Sequence, residues 1–183
     1  MFQPKLCLMA LVLLQIMNEP ANAGSKLAKA AREPDKDCRI VNQAYVNTRN
    51  TVVYGQVGSF MEPDGLRLFH EGRVTPAGAF ERYAAQTKWT KLAEPPPAVT
   101  PYLRFTDCTY LDGIDGPHFR AYWHNPPQHA EAEVWLTADY QKLSEVRRHF
   151  AIYDKLFPSE TLATVWDYDV KRVKPPAAEE VVP

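Results

Sequence analysis

The pattern of apolar and polar positions changes once along the chain, from a helical period to a period of two. Between Asp37 and Arg49, apolar residues recur three and four positions apart, and this spacing predicts a helix with one apolar stripe. The stripe consists of Cys38, Ile40, Val41, Ala44, Tyr45 and Thr48. From Thr51 onward apolar and polar residues alternate, which is typical of half-buried strands. We therefore expect one helix followed by a β-rich domain.

The predicted strands are separated by short turns that contain proline, glycine and aspartate. They extend over 51–61, 66–74, 80–84, 88–92, 118–124, 131–137, 143–152 and 162–173. The sequence of segment 102–111 is compatible with a short helix, a loop or a strand. The proline-rich segment 94–101 is expected to be a connector. Because a meander of about seven or eight antiparallel strands must protect its edges, we expect a mainly β fold. It would be a curved antiparallel sheet or half-barrel with the N-terminal helix packed on it.

Aromatic residues fall on both faces of the two most regular predicted strands. In 118–124, Trp123 shares a face with apolar residues, whereas Tyr122 shares the other face with histidines. In 131–137, Trp135 lies on the glutamate-bearing face, opposite the aliphatic residues. Core packing explains most strand aromatics, but a tryptophan on a polar face indicates a binding concavity or a partner contact. The candidate ligand-binding residues are Trp135, Tyr122, Trp123 and Trp166.

Residues 1–23 have the pattern of a secretory signal peptide. Lys5 precedes an apolar run, and Ala21 and Ala23 form the small-x-small pattern that signal peptidase cuts. The run is shorter than the roughly 20 apolar residues that a membrane helix needs. We therefore expect cleavage after Ala23 and a periplasmic or secreted location. The mature chain would be a single domain over 24–174 without a transmembrane segment, followed by a disordered tail over 175–183.

Two cysteines remain after the predicted cleavage removes Cys7. An even number in an oxidising compartment predicts a disulfide between Cys38 and Cys108. The bond would close a loop of about 70 residues, for which the chain-entropy model gives about 4 kcal/mol of stabilisation. The formal net charge is −1, and no basic stripe marks a nucleic-acid-binding face.

Histidines are the first candidates for chemistry. His118 and His124 share a strand face, but they would lie about 20 Å apart, too far to bind one metal ion. A metal site formed by His124, His129 and Glu131 is an alternative to exposed histidines on a polar face, which is the simpler interpretation. The sequence contains no Gly-x-Ser-x-Gly, His-Glu-x-x-His or phosphate-binding glycine motif. We predict no catalytic residue, no metal and no cofactor.

The order of elements resembles a loose group of uncharacterised bacterial periplasmic proteins. The resemblance rests on the cysteine-bearing helix pattern over 38–44, a strand containing Val134-Trp135-Leu136, and the endings over 166–170 and 173–176. These proteins are similar in shape to the lipoprotein carrier LolA. The resemblance implies an unclosed antiparallel half-barrel around a helical lid, with a concave face that holds acyl chains. The charged residues Arg147, Arg148 and Asp167 depart from such an apolar lining.

The sequence therefore favours an exported, non-enzymatic binding protein. Its partner would be an apolar, lipid-like small molecule or an envelope protein, held on the concave sheet face near Trp135. Two alternatives stay open. One is an envelope-assembly or protein-interaction module that pairs through an exposed sheet edge. The other is a hydrolase that uses a histidine and aspartate set near His124. No nucleic-acid partner is expected.

Overall fold

The computed structural model describes residues 36–93, 104–111, 116–151 and 159–182. The predicted signal peptide (1–23) and connector (94–101) lie outside them, and the domain boundaries stay a prediction. The described elements are α1 (Lys36–Arg49), β1 (Tyr54–Glu62), β2 (Gly65–Thr75), β3 (Gly78–Tyr83), β4 (Thr90–Lys91), β5 (Phe105–Leu111), β6 (His118–Asn125), β7 (Gln128–Leu136), β8 (Leu143–His149), β9 (Thr161–Asp167) and a short 3-10 helix, Ala178–Glu180. Among the described residues, no helix combines the length and apolar character that crossing a membrane requires.

The nine described strands form one open antiparallel sheet in the order β4-β3-β2-β1-β9-β8-β7-β6-β5. Two meanders, β1 to β4 and β5 to β9, meet where β9 pairs with β1. The segment left open between helix, loop and strand is β5, because its backbone pairs with β6. The predicted mainly β fold, an antiparallel sheet with an N-terminal helix, is confirmed.

Helix α1 packs on one face of the sheet, which we call the inner face; the opposite face is the outer face. The buried stripe of α1 joins the main hydrophobic core, as its spacing predicted. A disulfide between Cys38 and Cys108 links α1 to β5, which confirms the predicted pairing. The Asn42 side chain donates to the Phe105 carbonyl at 2.8 Å and accepts from the Phe105 N–H at 3.0 Å. The first half of α1 is therefore tied to β5 by a covalent bond and by hydrogen bonds, which include one from the Tyr110 N–H to the Asp37 carboxylate at 3.1 Å.

The last strand is shorter than predicted. It ends at Asp167 rather than near residue 173, because the chain turns there. The Asp167 carboxylate accepts from the Asp169 N–H at 2.9 Å, and the Asp169 carboxylate accepts from the Lys171 N–H at 2.8 Å. These local hydrogen bonds compete with continued strand pairing.

The C-terminal segment also differs from the disordered tail that its polar composition predicts. Residues 175–182 are described, and Val181 forms a parallel bridge with Trp89. The Trp89 N–H donates to the Glu180 carbonyl, and the Val182 N–H donates to the Trp89 carbonyl, each at 2.8 Å. Backbone pairing with a buried residue just before the short strand β4 therefore holds this segment, an interaction that composition does not reveal.

Candidate functional site

The four predicted ligand-binding residues lie on two different faces of the sheet. Trp123 is buried on the inner face, and Trp166 packs against the same core. Tyr122 and Trp135 lie on the outer face, because they alternate with buried neighbours along β6 and β7. The alternation predicted for both strands is therefore confirmed, but the structure does not bring the four aromatic rings into one site.

On the outer face, Trp135 is occupied by the side chains of this protein. Its ring stacks on the His118 ring with 4.0 Å between centroids and 10° between planes. The Arg147 guanidinium lies 4.6 Å from the Trp135 ring centroid and forms an ion pair with Glu145 at 2.6 Å. The tryptophan that sequence reasoning favoured is thus held in a local cluster whose cation is neutralised by a neighbouring carboxylate.

The histidines near Tyr122 form a second outer-face cluster. The rings of His124 and His129 lie 5.4 Å apart, and Tyr122 lies 4.8 Å from His124. The His124 Nε2 is 2.8 Å from the Thr106 hydroxyl. Burial lowers the pKa of His124, and the neighbouring His129 lowers it further. In the described part of the chain, no group of three or more His, Cys, Asp or Glu side chains is arranged to hold a metal ion, so the alternative site with Glu131 is not assembled there.

The outer face also carries an elongated groove of about 670 Å³ between β1, β2, β9 and the C-terminal segment. Exposed Val57 and Val165 contribute to its floor, and Trp89 lines one side. Most charged side chains in and around the groove occur as ion pairs: Arg82–Glu71, Arg147–Glu145 and Arg172–Asp167. Arg73, also in the lining, donates to the Lys174 carbonyl and lies over the Trp89 ring, whereas the Nε1 of Trp166 in the same lining has no acceptor.

A different kind of cavity lies between α1 and the inner face, and we call it the inner cavity. Its volume is about 360 Å³, within the range of small-molecule sites. The apolar part of its wall is mostly aromatic and consists of Tyr45, Phe69, Phe105, Trp123, Leu143, Val146, Leu162 and Trp166. Gly58, on β1, also lines it, and a Cβ atom placed there would meet no atom closer than 3.7 Å. The missing side chain at this position leaves part of the cavity empty.

Three arginines from three separate segments also line the inner cavity: Arg49 at the end of α1, Arg104 just before β5, and Arg148 in β8. The described lining includes no aspartate or glutamate. Arg148 donates to the Thr164 hydroxyl, and its guanidinium lies 5.1 Å from the Trp123 ring centroid. No described carboxylate forms an ion pair with Arg148. Desolvation lowers the pKa of Arg148 to about 10, and the positive charge of Arg104 contributes in the same direction.

Hydrogen-bond donors without acceptors are the second property of this cavity. The Nε of Arg49, the Nε of Arg148 and the Nε1 of Trp166 are closed to solvent and have no acceptor in the structure. Buried N–H groups are nearly always paired, and each one left unpaired costs about 1–3 kcal/mol. All three residues line the inner cavity, although the three nitrogens themselves are closed to solvent.

Sequence reasoning found Trp123 and Trp166 but missed the arginines beside them. Arg148 was interpreted only as an interruption of an apolar lining. A signal was present, because Arg148 occupies the apolar register of β8, two residues from both Val146 and Phe150, which are buried. A cation in the buried register of an alternating strand indicates either a hidden ion pair or a ligand site. For Arg49 and Arg104 no comparable periodic signal exists.

No protein-family model, curated protein or solved structure matches this chain. The likeness to the LolA-type half-barrel therefore stays a prediction. The function has to be argued from the two faces of the sheet, and above all from the inner cavity.

Proposed function

We propose that the protein is an exported, non-enzymatic binding protein that holds one small organic molecule in the inner cavity. The bound molecule would combine an apolar body with hydrogen-bond acceptors. The aromatic wall would cover the body, since aromatic side chains bury large apolar areas. The export part of this proposal rests on the signal-peptide pattern over 1–23.

The observation that carries the proposal is the set of three buried N–H donors without acceptors on the cavity wall. A protein that binds nothing there would bear their desolvation cost with no compensation. A ligand that displaces the neighbouring side chains and supplies acceptor atoms to these nitrogens would remove this cost on binding. The apolar and polar parts of the wall together thus select an amphipathic molecule over a hydrocarbon.

The position of α1 supports a cavity that exists before the ligand arrives. The disulfide and the Asn42 hydrogen bonds hold one half of the helix to β5. Thr48, near the other end of α1, contacts the Tyr168 hydroxyl at 2.9 Å and accepts from the Leu143 N–H at 2.9 Å. Sites that are largely formed in advance avoid the ordering cost that otherwise weakens binding.

The proposal is tested by native mass spectrometry and tryptophan fluorescence with three ten-carbon probes: decanoate, 1-decanol and decylammonium. We expect at least one probe to bind saturably with a stoichiometry of one. The variant Gly58→Leu should abolish this binding, because its side chain would occupy the inner cavity. The matched variant Gly58→Ala adds only a Cβ atom and should keep it. If no probe binds, or if Gly58→Leu binds like the wild type, the inner cavity is not the site and the proposal is wrong.

A second candidate function is a protein-interaction module that uses the outer face. The observation in its favour is a group of exposed aliphatic side chains beside the outer groove: Val57, Leu66 and Val165 are 43%, 69% and 48% exposed. A photo-crosslinking amino acid at Val165 should then yield one discrete adduct in cells. The same amino acid at the exposed turn residue Asp139 serves as the control. Equal adduct patterns at both positions would contradict this candidate.

A further inference from the structure

We propose that the molecule held in the inner cavity is an organic monoanion with a carboxylate head group, and that Arg148 binds this carboxylate. The inference rests on the proposed function and specifies its ligand class. The three arginines of the cavity wall and the absence of an acidic residue from its described lining point to negative charge on the ligand.

The first argument is charge balance. A cation removed from water is costly unless an anion or a set of acceptors accompanies it. The described residues provide Arg148 with one hydroxyl acceptor, that of Thr164, and with the face of Trp123. Arg104 is close enough to add repulsion rather than compensation. A bound anion would neutralise the charge of Arg148.

The second argument is geometry. Arg148 occupies the middle of the inner face, where the strand register places it between Ala132 on β7 and Leu162 on β9. One guanidinium nitrogen, Nη2, is engaged by Thr164, whereas Nε has no acceptor. Because Nε is closed to solvent, the edge open to a ligand is that of the two terminal nitrogens, and a planar carboxylate fits such an edge with two parallel hydrogen bonds.

The third argument concerns the rest of the wall. Beyond the arginines, the cavity is lined by aromatic and aliphatic side chains, including Phe69, Phe105 and Leu162, and by the polar residues Gln56, His70, Asn125 and Thr164. A monocarboxylate with an alkyl or aryl body exposes one charged end and otherwise apolar surface. A dianion such as a phosphate monoester would carry a larger desolvation cost into the same wall. The single charge of Arg148, which no described carboxylate balances, therefore matches a carboxylate better than a phosphate dianion.

The experiment compares head groups on one chain length, with the mature, disulfide-bonded protein and isothermal titration calorimetry at neutral pH. The probes are decanoate, 1-decanol, decylammonium and decyl phosphate. We expect decanoate to bind at least tenfold more tightly than 1-decanol and than decyl phosphate, and decylammonium to bind most weakly. A difference of this size matches hydrogen bonds made to charged groups.

Variants at neighbouring positions identify the binding residue. Arg148→Met should weaken decanoate binding at least tenfold and leave 1-decanol within twofold of the wild type. Arg148→Lys keeps the charge but loses the planar edge, so its loss for decanoate should be smaller. Arg147→Met is the matched control, because Arg147 points to the outer face and is paired with Glu145. It should leave all four affinities within twofold.

The outcomes separate this inference from the proposed function. Equal affinity for decanoate and 1-decanol, with both affinities lost in Gly58→Leu, would keep the inner cavity as a binding site. It would overturn the inference that the bound molecule is an anion. Tighter binding of decyl phosphate than of decanoate would overturn the inference that the head group is a carboxylate. Binding by none of the probes would end both proposals. If circular dichroism shows that Arg148→Met is unfolded, the head-group order in the wild type and the Arg148→Lys variant decide the question.

Discussion

Arg147 and Arg148 are consecutive residues of β8, yet they occupy opposite electrostatic surroundings. Each guanidinium lies near a tryptophan ring, at 4.6 Å from Trp135 on the outer face and at 5.1 Å from Trp123 on the inner face. The outer arginine has a carboxylate partner at 2.6 Å, whereas no described carboxylate pairs with the inner one. β8 thus carries an ion-paired arginine on the outer face and an arginine without a described carboxylate partner on the inner face.

The tryptophans repeat this contrast. Trp135 stacks on His118 and has Arg147 beside it, so residues of the protein already occupy its surroundings. Trp166 on the inner side keeps an indole N–H without an acceptor. The outer cluster also leaves one polar atom, the His118 Nε2, without a partner, but its arginine is paired with Glu145, whereas the inner cavity has an arginine with no described carboxylate. The difference between the two faces is therefore our reason for placing the ligand under α1.

The largest expected effect comes from removing the disulfide that holds α1 on the inner face. Replacing Cys38 and Cys108 together by serine should lower the free energy of unfolding by about 4 kcal/mol, because the bond closes a loop with a sequence separation of 70. Urea denaturation measures this change. Decanoate binding should decrease as well, since α1 contributes to the inner cavity, whereas the outer-face stack of Trp135 on His118 should remain. An unfolding free energy within 1 kcal/mol of the wild type would contradict the prediction that the disulfide between α1 and β5 stabilises the fold.

The two arginines should respond to replacement with opposite signs. Arg148→Met removes a desolvated cation, and its pKa of about 10 corresponds to a net cost of roughly 3 kcal/mol as an upper bound. Because the Thr164 hydrogen bond and the Trp123 contact are also lost, we expect a net gain in stability of about 1–2 kcal/mol without ligand. Arg147→Met should lose at most about 1 kcal/mol, as is typical of accessible ion pairs.

Urea denaturation of both variants without ligand tests this contrast. Destabilisation by both replacements would show that Arg148 has a structural role. A more stable Arg148→Met variant that no longer binds decanoate would show that stability is sacrificed at this position for function.

The smallest expected effect is an acid-dependent one on the outer face. Hydrogen bonds from Arg172, both at 2.8 Å, lower the pKa of Asp167 to about 2. The folded pKa lies below the unfolded value of about 3.9, so this contribution is complete above pH 4 and disappears as the pH falls toward 2. Asp167→Asn and Arg172→Gln should each reduce the loss of stability between pH 5 and pH 2. Thermal unfolding between pH 5 and pH 2 measures this loss of stability. If its dependence on pH is the same in both variants as in the wild type, the ion pair does not make the expected contribution.

Local patterns predicted the local structure well. The period-two alternation of 118–124 and 131–137 placed Trp123 inward and Trp135 outward, and the count of cysteines in an oxidising compartment gave the disulfide. What the patterns lacked was information about long-range pairing. Nothing in the residues of β9 indicates that it pairs with β1. The pairing of the C-terminal segment with Trp89 likewise depends on backbone groups that every residue carries.

The candidate site was predictable only in part, for a related reason. Periodicity assigns a residue to a face, so Trp123 and Trp166 could be found. It does not show whether a charged residue on that face has a partner, because partners come from other strands and from the helix. From the sequence alone, Arg147, Arg148 and Asp167 were identified only as charges that depart from an apolar lining. In the structure, Asp167 pairs with Arg172, Arg147 pairs with Glu145, and Arg148 has no described carboxylate.

The pairing of β9 with β1 has a consequence for how the molecule is made. During synthesis, β1 to β4 can form a hairpin array early, but one edge of β1 stays without its neighbour until the chain has reached Asp167. Such an edge can pair with strands of other molecules, and closing a contact over more than one hundred residues is slow. A product truncated before Thr161 would lack β9. It would therefore consist of two separate half-sheets, each with one additional unpaired edge strand.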